Sequence, residues 1–150
     1  MARQRQLRDE APLPDDTTLV RALFGASAGG AAFDRFVLIA DATRNFELFG
    51  YYGLSLWATS AEWSVDRVLA EKAQKAARAA LFTAGDLREK GLGLVPSGRA
   101  PHYDTNVGDV YGHSFGSVQI TAPSAEDLID RFILASYTLV ENHHHQTDAG

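Results

Sequence analysis

The residues best suited to chemistry cluster in Pro101-His102-Tyr103-Asp104-Thr105-Asn106, with Arg99 just upstream and Asp109 and His113 just downstream. If His102 to Val107 runs extended, the two-residue period of a strand puts His102, Asp104 and Asn106 on one face and Tyr103 and Thr105 on the other. An imidazole beside a carboxylate is a proton-transfer pair. Histidine titrates near neutrality, so His102 is a general acid or base whose basicity Asp104 would raise. Arg99 and Lys90 are cations able to stabilise charge on a reacting phosphorus. RNA cleavage needs those parts and no cofactor. The expected site is therefore His102, Asp104 and Arg99 as catalytic residues. Lys90, Arg78 and Lys75 are expected to bind substrate phosphates, with Tyr51 and Tyr103 as aromatic contacts.

Other chemistry is open to the same residues. Neutral imidazole and carboxylate also bind divalent metals, so His102, Asp104, Asp109 and His113 form an alternative ligand set. Their spacing matches no metal motif, and no metal site is assigned. The plainest alternative is a polar strand edge whose histidines bond local backbone groups. Transfer chemistry on a nucleotide, such as ADP-ribosylation, finds suitable residue types in Arg44, Ser55 and Glu62, although nothing in their spacing selects it.

Two segments match G-x-S-x-G: Gly25-Ala26-Ser27-Ala28-Gly29 and Gly112-His113-Ser114-Phe115-Gly116. A nucleophile elbow needs a strand before its serine and a helix directly after. Ser114 is instead followed by the extended-looking Ser117 to Thr121 and by Pro123, and Ser27 lies in a Gly/Ala loop. Both are read as chance matches in a chain with 13 glycines. No Lys-Ser/Thr follows Gly25 to Gly30, so a phosphate-binding loop is not expected there. His143-His144-His145 reads as a solvated tail, since three adjacent histidines do not preorganise a tetrahedral site. The row Phe46, Phe49, Tyr51, Tyr52 and Trp57 could stack bases but reads first as core, with Tyr51 and Trp57 the exceptions.

These residues must be positioned by a small chain of 150 residues, 45% hydrophobic and 22% charged, enough for one core. A flexible arm over 1–16, a single α+β domain over 17–142 and a flexible His-containing tail over 143–150 are expected. Asp16 or Thr17 is expected to cap a short helix through Leu19, Val20, Leu23 and Phe24. An apolar block over 33–40 reads as a strand, and so does the aromatic stretch 46–57. Ser64 opens a helix expected to reach Phe82, on whose wheel Arg67, Lys75 and Arg78 share an arc opposite an alanine stripe. Thr83 with Asp86 starts a second helix that Gly91 ends. Strands follow over 92–95 and 102–107, joined by a turn at Pro96 to Pro101. Val118 to Thr121 reads as a strand end, Ser124 caps a helix to Ala135, and Tyr137 to Glu141 closes as a strand. The sum is an α+β fold: a mixed or antiparallel sheet packed against two main helices.

Charge and composition narrow the function. The net charge of -5 argues against a general nucleic-acid coat, and no DNA binding is expected. Yet Ser64 to Tyr103 carries seven Lys and Arg against four Asp and Glu, a local excess of +3 able to face RNA while the rest repels it. The absence of cysteine removes disulfides and thiol nucleophiles. No window reaches the roughly 20 apolar residues of a membrane span, and no secretory h-region is visible, so a cytoplasmic protein without membrane contact is expected.

Phe46 to Trp57, with Gly91-Leu92-Gly93-Leu94-Val95-Pro96-Ser97-Gly98-Arg99 and Pro101-His102-Tyr103 downstream, resembles small uncharacterised proteins of high-GC bacteria associated with toxin-antitoxin-like loci. The likeness covers roughly Phe46 to Asp109 and brings no activity, cofactor or catalytic residue with it. It favours a toxin-like protein, for which RNA as substrate and an inhibitor or other protein as partner are alternative expectations. The leading expectation is thus a cofactor-free endoribonuclease using His102 and Asp104. The alternative is a non-catalytic module that binds a partner protein through its aromatic stretch or N-terminal arm.

Overall fold

The computed structural model describes residues 7–23, 34–49, 51–107 and 125–145. The alternation around His102 forms the strand it predicts, and five others join it in one sheet. In chain order the elements are β1 (Thr18–Leu23), α1 (Arg35–Phe49), β2 (Leu54–Ala58), α2 (Val65–Glu71), β3 (Arg78–Thr83), α3 (Ala84–Glu89), β4 (Leu92–Val95), β5 (His102–Val107), α4 (Ala125–Phe132) and β6 (Thr138–Glu141). The strand order is β4-β5-β2-β1-β3-β6, and every neighbouring pair is antiparallel. This is an α+β single domain with four described helices. None of them is long and apolar enough to cross a membrane.

The two faces of the sheet bury different partners. On one face Leu19, Leu56, Phe82, Leu94 and Tyr103 pack with Leu38 and Ala42 of α1, Leu87 of α3, and Leu128, Ile129 and Phe132 of α4. Each of the large apolar side chains fully withdrawn from water there contributes about 1.5–3 kcal/mol. On the other, Val20, Ala22 and Ala79 pack with Val68 and Leu69 of α2 and with Ala73 and Ala76 beyond it. α2 covers only part of that face, and the polar residues of β5 lie on the same side of the sheet.

Local signals hold where local hydrogen bonds decide. The Ser64 side chain accepts from the Arg67 N–H at 3.1 Å and starts α2, and Thr83 does the same for Asp86 at 3.3 Å to start α3. Gly91 follows α3 at φ 79°, the left-handed turn that ends a helix without a Cβ penalty.

Four expected elements differ. The segment 18–23 is strand, not helix: Leu19, Val20, Arg21 and Ala22 are all buried because β1 is central, so no alternation survives to mark it. The blocks 33–40 and 46–57 are not two strands, since α1 takes up 35–49. Asp34 caps it, accepting from the Phe36 N–H at 2.8 Å, while Phe36 stays 85% exposed and obscures the helical stripe. The helix expected from Ser64 to Phe82 stops at Glu71. The Asn142 amide then gathers the carbonyls of Leu69, Ala73 and Ala76 at 3.4, 2.9 and 2.9 Å, and 78–83 pairs between β1 and β6. Pairing on both edges overrides the helix propensity of its alanines. The shared arc of Arg67, Lys75 and Arg78 therefore does not form.

Residues 7–16 run against the domain. Leu7 bridges Ser97, Leu13 packs on the larger core, and Asp15 pairs with Arg88 at 2.7 Å. The segments 118–121 and 146–150, with Ser27, Asp109, His113, Ser114 and Ser124, lie outside the described residues.

Candidate functional site

β5 brings the expected pair together by strand geometry alone. Its neighbours add what the sequence did not indicate: Ser55 of β2 and Val95 of β4 flank Asp104, and Trp57 flanks His102. Residues paired directly across antiparallel strands share a face. The Trp57 and His102 rings meet edge-on with centroids 6.3 Å apart.

Asp104 has no exposed surface. A carboxylate so placed needs hydrogen-bond donors to offset its lost hydration. Oδ2 accepts from the Tyr51 hydroxyl at 2.5 Å and from the Ser97 hydroxyl at 2.8 Å. His102 Nδ1 lies 2.9 Å from the Ser97 carbonyl oxygen and 3.2 Å from its Oγ. A carbonyl oxygen only accepts, so Nδ1 carries the proton in the neutral ring and Nε2 is the basic nitrogen. Nε2 is 4.0 Å from Asp104 Oδ1, and a proton taken up there forms an ion pair with that carboxylate. The His102 side chain is 14% exposed, so the network reaches solvent through its imidazole.

The loop that carries Ser97 is pinned from the N-terminal segment. Arg8 Nη1 donates to the carbonyls of Ser97 at 2.8 Å, Gly98 at 3.3 Å and His102 at 2.8 Å, and its backbone N–H donates to Pro96. Gly98 turns at φ 66°, and the Ala100-Pro101 peptide is cis. Arg8 also pairs with Glu10, which accepts from the Tyr103 hydroxyl at 2.8 Å. The Arg8 hydrogen bond outweighs burial and, helped by Tyr103, lowers the Glu10 pKa. Burial, then the Glu10 hydrogen bond, raises that of Tyr103. Arg8 had no signal beyond its place in a charged segment, because its partners are about ninety positions away in sequence.

The structure therefore joins His102, Asp104 and Tyr51, but Tyr51 is buried and supports Asp104 rather than offering the substrate contact expected of it; Arg99 is exposed and is placed against them by its backbone carbonyl, which accepts from the His102 N–H at 2.9 Å. It does not join the rest. Tyr103 is buried on the opposite face of β5. Lys90 precedes β4, whereas the Ser97 loop leaves its other end, about 10 Å along the strand. Arg78 opens β3, three strands from β5 or about 14 Å away, and Lys75 lies in the turn before it. Among the described residues no three His, Asp or Glu side chains come together in a way that could hold a metal.

A second polar feature lies beside the first. β1 and β2 pair only through Leu19 with Ala58 and Val20 with Trp57, then part. A cleft of about 340 Å³ opens between their parted ends and α1, with Arg21, Asp41, Arg44, Ser55 and Trp57 among its lining residues. Glu62 is not in the lining. Trp57 belongs to both features, and the Asn45 amide, donating to the Tyr51 carbonyl at 2.9 Å, ties the cleft wall to the buried network.

No family model, curated protein or solved structure matches this chain.

Proposed function

We propose that the protein cleaves RNA at His102, as a toxin-like endoribonuclease. One observation carries the reading: a part-exposed imidazole stands in front of a fully buried carboxylate, with the Trp57 ring beside it and the exposed Arg99 three residues upstream in the loop before β5. His102 Nε2 takes the proton of a ribose 2′-hydroxyl as that oxygen attacks the adjacent phosphorus. The bond to the 5′-oxygen breaks, that oxygen takes a proton from water, a 2′,3′-cyclic phosphate remains, and the His102 imidazolium returns its proton to solvent. Attacking and leaving groups both belong to the RNA, so the reaction needs no cofactor. Asp104 has no surface with which to touch substrate and acts as a positioning residue, pairing with the imidazolium. Arg99 supplies the cation for the phosphate.

The test is induced expression in a bacterial host beside His102→Ala, together with purified protein on a synthetic RNA and on the same oligonucleotide carrying 2′-deoxyribose. Growth arrest, fragmented RNA and cyclic-phosphate ends for the wild type, with a loss of about 100-fold or more in His102→Ala, support the reading. Cleavage of the deoxy substrate, or RNA left intact by folded wild-type protein, removes it.

A partner-binding role has its own observation. Phe36 and Leu134 are 85% and 69% exposed, and the Arg35–Asp130 ion pair at 2.7 Å brings the start of α1 to the helix that leads into Leu134. Exposed apolar side chains on two helices that meet suit a protein partner such as an inhibitor. In this role Phe36→Ser with Leu134→Ser abolishes capture of the partner, while His102→Ala leaves it intact.

A further inference from the structure

The cleft between β1, β2 and α1 opens where the two strands cease to pair, and a charged side chain of β1 reaches across it. Continued register would set Arg21 opposite Leu56, yet the strands have already separated. Arg21 Nη1 instead donates to the Ser55 carbonyl at 3.1 Å, and Nη2 pairs with Asp41 Oδ2 at 2.6 Å. Arg21 is only 8% exposed, and its Nε has no hydrogen-bond acceptor among the described residues. Burying a guanidinium in a central strand between Val20 and Ala22 is costly, and an apolar side chain would close the sheet at less expense. A buried charge retained on such terms points to a ligand.

The rest of the lining defines that ligand. Asp41, Arg44, Asn45 and Leu48 follow i, i+3, i+4, i+7 spacing, so α1 lays one stripe along the cleft. Arg44 is exposed and has no carboxylate partner among the described residues. Two guanidiniums against the single carboxylate of Asp41 leave the lining net positive, suited to an anion. Asp41, 47% exposed, keeps acceptor capacity for a hydroxyl. Trp57, Leu48 and Phe49 add apolar surface for a flat ring. A volume of about 340 Å³ is at the small end for ligand sites and holds one compact molecule.

We propose that this cleft binds a mononucleotide, its phosphate on Arg44 and Arg21, its sugar hydroxyls toward Asp41 and its base against Trp57. The site stands independently of RNA cleavage, because His102 does not line it and Trp57 stands between the two.

The experiment is calorimetric titration of the full-length protein with AMP, UMP, adenosine and inorganic phosphate, repeated with Arg44→Ala, Trp57→Leu and His102→Ala, all checked for native near-ultraviolet circular dichroism. The expected result is 1:1 binding of a nucleotide, at least tenfold weaker binding of adenosine and of phosphate alone, and a tenfold or greater loss in Arg44→Ala. His102→Ala keeps its affinity whether or not it cleaves RNA, which separates this site from the proposed cleavage centre. Arg44 is exposed, so its variant stays informative if Trp57→Leu does not fold. No saturable nucleotide binding at millimolar concentration, adenosine binding as well as AMP, or unchanged affinity in Arg44→Ala overturns the proposal. Loss of binding in folded His102→Ala also overturns it, by moving the ligand to the other site.

Discussion

The two polar regions treat burial in opposite ways. Around Asp104 the protein supplies the partners itself: Tyr51 and Ser97 donate to the carboxylate, His102 faces it, and Arg8 gathers the carbonyls of the loop behind. Around Arg21 the strands part, one nitrogen has no acceptor among the described residues, and Asp41 is half in solvent. The first region holds a histidine in one orientation. The second keeps charge available at the wall of a cavity. The two share β2, through Ser55 and Trp57, while the first adds β5 and β4 and the second β1 and α1, so the contrast arises within one sheet from side chains and strand separation.

That contrast breaks most visibly through stability. Asp104→Ala strands two buried hydroxyls and removes the carboxylate facing His102, so urea unfolding should show a loss of roughly 3 kcal/mol. Arg21→Met removes a charge whose own burial is costly and keeps most of its bulk, so the same measurement should change by about 1 kcal/mol or less. If Arg21→Met is the more damaging of the two, the cleft is a structural element and the comparison fails.

The smallest effect concerns the segment that pins the His102 loop. Glu10 titrates below the ordinary carboxyl value of 4.5 when folded, because Arg8 and Tyr103 hold its charged form. Its stabilising contribution is complete above that value and is lost as pH falls through the lower, folded one. Tyr103 has the opposite sign. Its pKa is raised in the folded state, so its contribution is complete below the ordinary value of 10.0 and declines as pH rises beyond it. Urea midpoints followed from pH 7 to 3 should decline less in Glu10→Gln than in the wild type. Parallel curves for the two proteins would detach Glu10 from the loop.

Much of the fold was legible where a few consecutive residues decide it. The caps at Ser64 and Thr83, the stop at Gly91, the alternation of β5 and the turn before it each depend on hydrogen bonds or sterics spanning a handful of positions. The α+β class follows from those pieces. The juxtaposition of His102 with Asp104 was legible for the same reason, as two positions on one strand share a face.

What the sequence could not show is what distant segments do to one another. β1 and β3 are strands because each is paired on both sides within the sheet, which erases the alternation of one and overrides the alanines of the other. Ser97 and Tyr51 reach Asp104 only after the chain has folded back, Tyr51 across 53 positions. Arg8 meets the carbonyls of its loop across 89 to 94. The phosphate-binding cations expected from one local charge excess are dispersed along and across the sheet, while Arg21 and Arg44, from segments with no such excess, share a cavity wall. Residue types and local spacing determined which titratable groups this chain carries and which of them share a strand face. Strand order and the parting of β1 from β2 decided where they converge, because long-range pairing and not sequence proximity brings buried charges together.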